Sequence, residues 1–493
     1  MPEHRVSRIV VVGGGVSGLS AAHRLIELRD EKKIPLDVTL LEAGSRLGGG
    51  IQTIRRDGFL LETGPDNFIT TKPWGVALSR RIGLADRLLQ TNEENRRALL
   101  VHRGRLHPIP EGFLMLAPTR FMPLVMSPLF SWRGKLRMAM DLFLPARKDN
   151  EDESLASFVI RRLGREAFER AAQPLVSGVY TADPQTLSLR ATMPRFLDME
   201  QQHGSVIKAM WREQRAARLR REQAGQSGKP GGDSGARYSM FVTFDDGLQT
   251  LIDALASRLP EDAVRLNAGV ASLTPLPQER GMPRWRVAGQ DGTSSDADGV
   301  IVAAPTYRAA DMVAGFDAPL AEQLRAIEYA SSVVINMAYR QGDLVRPLDG
   351  FGFVVPAVEN RSIIACSFSS VKYAGRAPEG FALVRCFAGG AIQPHIYAWD
   401  DDRLIAGARR EMKELLGIEA APLFALVHRH PRSMPQYPVG HLRRVAQIQE
   451  NLARHPGLSL VGNAYGGVGI PDCVHSGETA AEGIVAGLQG ERQ

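Results

Sequence analysis

Three glycines with the spacing G-x-G-x-x-G, Gly13, Gly15 and Gly18, stand between an apolar run, Ile9 to Val12, and an apolar-periodic stretch reaching Leu25. At a strand-to-helix junction this spacing can hold a pyrophosphate. The first glycine allows the tight turn, the second lets backbone approach the anion, and the third brings helix against strand. The helix N-terminus then faces the negative charge. A second strand, Leu36 to Leu41, ends in Glu42, which lies 42 − 18 = 24 positions past the last glycine. A ribose-binding carboxylate belongs at that distance, so the two halves together predict a dinucleotide site.

The following residues select the dinucleotide. Glu42 leads into A-G-S-R-L-G-G-G, and a strand-like segment, DGFLLETGPDNF, runs from Asp57 to Phe68. This stretch resembles the FAD-binding oxidoreductases that share a fold with amine oxidases and phytoene desaturases, whose pattern is E-x-x-x-R-x-G-G and then G-P. Glu42, Arg46, Gly48, Gly49, Gly64 and Pro65 match it. A guanidinium at position 46 can pair with phosphate oxygens in a fixed fork, which lysine cannot imitate. The resemblance implies a noncovalent FAD held by Gly13, Gly14, Gly15, Val16, Ser17, Gly18, Glu42, Ala43, Arg46, Gly48, Gly49, Gly50, Gly64, Pro65, Asp66, Asn67 and Val270. At the C-terminal end, LSLVGNAYGGVGIPDC repeats the strand, glycine and helix logic of the N-terminus, which places Val468, Gly469 and Ile470 at the flavin end.

These residues need a large scaffold. A chain of 493 residues predicts two or three domains, and 44% hydrophobic with 23% charged residues makes it globular. Sixty basic against 54 acidic residues leave a net +6. No block of Lys and Arg interleaved with aromatics accompanies that excess, which argues against nucleic acid. The first strand begins within ten residues of Met1, so no leader peptide is expected and the cytoplasm is the expected compartment. Cys366, Cys386 and Cys473 are too widely spaced in sequence for a disulfide framework and read as buried thiols. His428 and His430 would share one side of a strand, but no third ligand is near and no metal site is expected.

The fold class this predicts is α/β, with a discontinuous Rossmann-like FAD-binding domain (1–70, 238–306 and 430–493). An antiparallel-sheet substrate domain takes 71–93 and 307–429, and a helical, membrane-surface domain takes 94–221. Residues 222–237, rich in Gly, Ser, Gln and Pro, read as a disordered loop. PLVSGVYTADPQTLSL reads as a turn between helices. Between Phe113 and Ala146 the chain is apolar and methionine-rich, with Pro118, Pro123 and Pro128 breaking it short of the ~20 residues of a spanning helix. Arg120, Arg133, Lys135 and Arg137 against Asp141 give 4 − 1 = +3. Two readings stay open: a peripheral membrane-contacting face, at the inner side of the cell membrane, or a wall of a hydrophobic cavity.

From end to end, IVVVGGGVSGLSAA, EAGSRLGG, ETGPDNF, RGRLHPIP, PLVSGVYTADPQTLSL, TFDDGLQTLIDAL, MPQYPVGH and GGVGIPDC resemble the oxygen-dependent protoporphyrinogen and coproporphyrinogen oxidases. The resemblance implies removal of six electrons from a porphyrinogen in three rounds, with O2 reoxidising the FAD to give H2O2, and a product open to handover to a ferrochelatase. The protein's task is then to position a large ring against the flavin, with no catalytic residue of its own assigned. Phe351, Val354 and Phe387 fall in the segments that sandwich the ring, and the Gly178 carbonyl matches a group facing the pyrroles. Lys72 resembles the coproporphyrinogen branch, and Arg97 the propionate-binding arginine of the protoporphyrinogen branch. More segments favour coproporphyrinogen III, with protoporphyrinogen IX the alternative. An amine oxidase, a carotenoid desaturase, or a binding protein like the GDP-dissociation inhibitors remain the more distant readings.

Overall fold

The computed structural model describes residues 5–93, 96–110, 113–114, 117–118, 121–149, 151–223, 240–277, 282 and 284–490. Five parallel strands run in the order Val264–Arg265, Leu36–Leu41, Ser7–Val12, Gly299–Val302 and Leu458–Leu460. They are apolar on both faces because both faces are covered. On one side Val11 and Ile301 pack with Leu19 and Leu25 of the helix Val16–Lys32 and with Val485 of the C-terminal helix Ile470–Gly490. On the other, Val10, Val12, Val300 and Val302 meet Trp285, Ala309 and Leu324.

A second sheet has seven strands, in the order Phe424–Pro435, Tyr329–Arg340, Phe381–Gly389, Ala365–Phe368, Gly352–Val354, Leu99–His102 and Arg105–Pro108. The sequence predicts the antiparallel sheet within 71–93 and 307–429, with 94–221 helical. The sheet also recruits the hairpin 99–108, and the join is a parallel pair, Phe353 to Leu99 and Val354 to Leu100. One face buries Ile335, Met337, Val384 and Cys386 against Leu404 and Met412 of the helix Asp401–Leu416. The opposite face carries the alternate residues. There Ala338, Leu383 and Phe424 pack on Phe59 and Leu61 of the hairpin Thr53–Arg56 and Phe59–Glu62.

The third body is helical, with Leu155–Leu163, Gln173–Tyr180, Pro194–His203 and Val206–Gln223 as its larger helices. Its centre is ionic. The fully buried Arg162 meets the fully buried Asp141 and, at 3.4 Å, Glu200. Arg162 also donates to the carbonyls of Pro145 and Gly204. One expectation is corrected here: PLVSGVY is not a turn but the body of the helix Gln173–Tyr180. Pro174 sits in its first turn, where a missing N–H costs nothing, and the helix closes only at Thr181, with φ at +53°.

The segment from residue 121 to 146 forms two short helices, Phe121–Met126 and Trp132–Ala139. Met122, Met126, Trp132, Leu136, Met140 and Phe143 are all exposed, Trp132 at 68% and Phe143 at 85%. Of the charges counted toward +3, Arg133 is exposed and Lys135 half-buried over the Trp132 ring. Arg137 turns inward to the carbonyls of Ile160, Arg161 and Arg162, Asp141 is buried, and Arg120 lies outside the described residues. Most of the predicted loop 222–237 also lies outside them, and the helix before it runs through Gln223. Among the described residues no helix is long and apolar enough to cross a membrane, and no cluster of ligating side chains could hold a metal. All three cysteines are free and buried.

Candidate functional site

Each glycine of the N-terminal motif has a distinct physical reason. Gly13 has φ at +107°, and a Cβ there would stand 2.5 Å from the Ala303 carbonyl oxygen. A Cβ on Gly18 would stand 1.9 Å from the Gly13 carbonyl oxygen, so only glycine lets the helix start this close to the strand. A Cβ on Gly15 would meet nothing within 4 Å. Gly15 caps the helix Val16–Lys32 without a side-chain bond, so this open backbone and the helix N-terminus are free to face an anion. Ser17 is buried within the helix's first turn. The Glu42 carboxylate accepts from Gly14 N at 2.6 Å and Gly44 N at 2.7 Å, which leaves lone pairs for a ribose.

The second glycine run closes over the first. Gly48 N donates to the Gly14 carbonyl at 2.8 Å, and a Cβ on Gly49 would come within 3.4 Å of the Gly15 Cα. Arg46, expected to fork onto phosphate, donates instead to the carbonyls of Leu47, Gly49 and Ile51, at 3.1, 2.5 and 3.0 Å. It holds the loop that surrounds the cradle. A Cβ on Gly64 would stand 1.9 Å from the Gly50 carbonyl oxygen, so these two glycines stack backbone on backbone. Val270 is buried at the start of the strand Val270–Pro275.

From Glu62 to Gly64 three consecutive carbonyls are each held by the second sheet. Asn336 donates to Glu62 O at 3.2 Å, His430 Nε2 lies 2.7 Å from Thr63 O, and Arg385 donates to Gly64 O. The Glu62 side chain is buried against Leu248 N and Thr53 Oγ1, and burial pushes its carboxyl up to about 7. Pro65 is exposed. Asp66 behaves oppositely: burial raises its carboxyl, but the charges of Lys372, 3.0 Å away, and Arg385, 3.2 Å away, outweigh that and bring it to about 2. Asn67 donates to Asp66 at 2.5 Å.

The C-terminal motif returns to the same place. A Cβ on Gly477 would stand 2.2 Å from the Ser17 carbonyl oxygen, so the C-terminal helix lies directly on the N-terminal one. Gly467 N donates to Tyr437 Oη, which itself donates to the Asn463 carbonyl. Val468 packs on the helical core together with Val354, and a Cβ on Gly178 would lie 3.7 Å from Val354 Cγ1. Gly178, Val354 and Val468 thus meet the same core edge, while Ile470 is buried at the start of its helix. Phe387 is half-buried on the face that looks at Glu62–Gly64, with the Arg385 guanidinium 4.6 Å from its ring centre. Phe351 is buried and donates its N–H to the Arg97 carbonyl at 2.8 Å.

The two expected anchors are both engaged. Lys72 Nζ pairs with Asp472 at 2.6 Å, and Arg97 Nε donates to Asp349 at 2.8 Å. Sequence reading missed Asn336, Lys372, Arg385, Asp472 and Gly477. Asn336 and Arg385 carried a usable signal, each being a lone polar residue inside an apolar strand pattern, SVVINMAYR and FALVRCFAGG.

An open glycine turn on a helix N-terminus, a ribose-placed carboxylate and a second glycine motif folded over the first define a dinucleotide-binding protein. The chain belongs to the flavin-containing amine oxidoreductase family, whose profile matches residues 16–485. It is 35% identical over 473 residues to the coproporphyrinogen III oxidase of Bacillus subtilis, covering 96% of each chain. It is 31% identical over 498 residues to the protoporphyrinogen oxidase of Bos taurus, covering 97% of this chain and 98% of that one. A candidate protoporphyrinogen oxidase from Exiguobacterium, solved by crystallography, matches with a TM-score of 0.83 at 30% identity, covering 99% and 100%. FAD is accordingly the cofactor that the glycine cradle fits, and it supplies a two-electron acceptor.

Proposed function

We propose that this chain oxidises coproporphyrinogen III to coproporphyrin III, with FAD taking the hydrides and O2 taking them on as H2O2. The likeness to the Bacillus coproporphyrinogen III oxidase along nearly the whole of both chains carries this reading. Protoporphyrinogen IX is the second reading, favoured by Arg97 and by the likeness to the bovine enzyme. FAD lies against Gly13–Gly18, Glu42 and Gly48–Gly50, with Gly64–Asn67 and Val468–Ile470 at its flavin end. The domain boundaries expected from sequence divide the chain, with 99–108 and the whole strand Phe424–Pro435 moved to the substrate domain's sheet.

The chain's own task is positioning. Gly178, Val354 and Val468 offer one apolar edge, and Phe387 with Phe351 the sheet side. Lys72 receives a propionate in competition with Asp472. A charge-assisted bond of that kind is worth roughly 1.5–3 kcal/mol, or about 10- to 150-fold in binding. Lys72→Met should therefore lower kcat/KM for coproporphyrinogen III by about that factor and leave protoporphyrinogen IX nearly unchanged. Arg97→Ala should damage both. Kinetics following porphyrin fluorescence decide it, and equal efficiency of wild type and both variants on both substrates would defeat the assignment.

The exposed Met122, Met126, Trp132, Leu136, Met140 and Phe143 support peripheral contact with the inner face of the cell membrane. A cytoplasmic enzyme docked there could hand its product to a ferrochelatase without crossing bulk water.

A further inference from the structure

Three polar side chains stand together on the sheet face that looks at Glu62–Gly64. Each keeps a buried atom without a hydrogen-bond partner: Asn336 Oδ1, Arg385 Nε and His428 Nε2. Their adjacency follows from the register. Asn336 lies opposite Arg385, and two residues back along the same strand Val334 lies between His428 on one side and Phe387 on the other. A buried hydrogen-bonding atom left unsatisfied is costly, so three neighbours mark a surface shaped to meet something polar. Asn336 and Arg385 each also hold a carbonyl of the cofactor segment. Among the described residues none stands within hydrogen-bonding distance of His428 Nε2.

The geometry points to His428 as the acceptor of the proton that a porphyrinogen loses each time a hydride leaves it. This rests on the porphyrinogen-oxidase reading above and adds to it a group for which sequence reading saw no need. When the C–H bond of a methylene bridge breaks, the electron pair leaves with the hydride for the flavin and the ring system is left cationic. Breaking a pyrrole N–H bond restores neutrality: its electron pair stays on nitrogen and its proton passes to Nε2 of the imidazole. Three rounds remove three hydrides from methylene bridges and three protons, two from pyrrole N–H groups and the last from the remaining methylene bridge, whose C–H electron pair enters the conjugated ring. Two N–H groups and four methine bridges remain, six electrons are lost in all, and O2 is the terminal oxidant.

The surroundings of His428 suit an acceptor. Burial lowers its imidazole below the ordinary value, and the His430 and Arg46 charges push the same way, so the ring is neutral at neutral pH. The charged or titratable groups that act on it are His430 on its own strand and Arg46 from the glycine loop. His430 is committed to Thr63 O. The His428 side chain is only half-buried, so a proton taken up inside can be returned to water.

The test is anaerobic stopped-flow reduction of the bound flavin by coproporphyrinogen III across pH 5 to 9, with a pH-indicator dye following proton release. His428→Gln should slow flavin reduction by about 100-fold or more and flatten the acid limb of the wild-type profile. Imidazole in the buffer should restore much of the rate to His428→Ala. FAD content, read from absorbance, should match wild type in both. Reduction in His428→Gln within about threefold of wild type, with the acid limb unchanged, overturns the proposal alone. A wild-type flavin that stays oxidised with both porphyrinogens removes the porphyrinogen reading and the proposal with it. Should neither variant hold FAD, diethyl pyrocarbonate on the wild-type holoenzyme decides. Loss of flavin reduction that tracks His428 modification by mass spectrometry and is prevented by coproporphyrin III supports the role, and modification of His428 without loss refutes it.

Discussion

Glu62 offers a pH dependence that can be worked from the structure. Its carboxyl is buried, accepts from Leu248 N at 2.8 Å and Thr53 Oγ1 at 2.9 Å, and titrates near 7 against an ordinary 4.5. Each pKa unit corresponds to about 1.4 kcal/mol, so the gap is worth about 3 kcal/mol. The folded state favours the protonated acid. The benefit is therefore complete below pH 4.5 and is lost as pH rises through about 7, most of the change falling between pH 5 and pH 8. Glu62→Gln is isosteric with the protonated acid and cannot ionise. Urea denaturation of both proteins with saturating FAD, at half-unit steps over that range, should show wild type losing about 2 to 3 kcal/mol relative to the variant. A stability difference that stays flat within about 0.5 kcal/mol, or that changes in the opposite sense, would refute the claim that burial governs this carboxyl.

Gly18→Ala should abolish FAD retention and give colourless protein, because its Cβ would stand 1.9 Å from the Gly13 carbonyl oxygen and the turn would have to open. Arg162→Met should cost about 3 to 5 kcal/mol in urea denaturation, since it leaves Asp141 buried without its cation, while Glu200 keeps Arg161 at 2.6 Å. Paired Trp132→Ser and Phe143→Ser should weaken flotation with anionic vesicles by at least tenfold while leaving turnover of detergent-free substrate within twofold, and unchanged flotation would leave the exposed apolar face without a lipid role.

The parallel sheet and its cradle were legible because their signals are local. A buried strand, a fixed glycine spacing and a helix occupy Ile9 to Leu25, and the structure supplies the contact behind each glycine. The helix Gln173–Tyr180 was hidden by Gly178, Pro174 and the turn-like TADP that follows, and its apolar side finds its partners only through tertiary packing. The polar floor was harder still. Asn336, Arg385 and His428 lie on three strands and meet only through a register that no single stretch of sequence states. The partners of Lys72 and Arg97 are more remote again, Asp472 lying 400 residues from Lys72. Spacing along the chain says nothing about such pairs.

The three carbonyls of Glu62, Thr63 and Gly64 are tied to three adjacent strands of the second sheet, by Asn336, His430 and Arg385. The distance between the wall that carries Phe387 and the backbone that carries the cofactor is thereby fixed by rivets. Breathing of the two apart would have to break all three contacts together. On the proposed porphyrinogen reading, the spacing offered to a flat ring beside Phe387 is one that these three contacts hold constant.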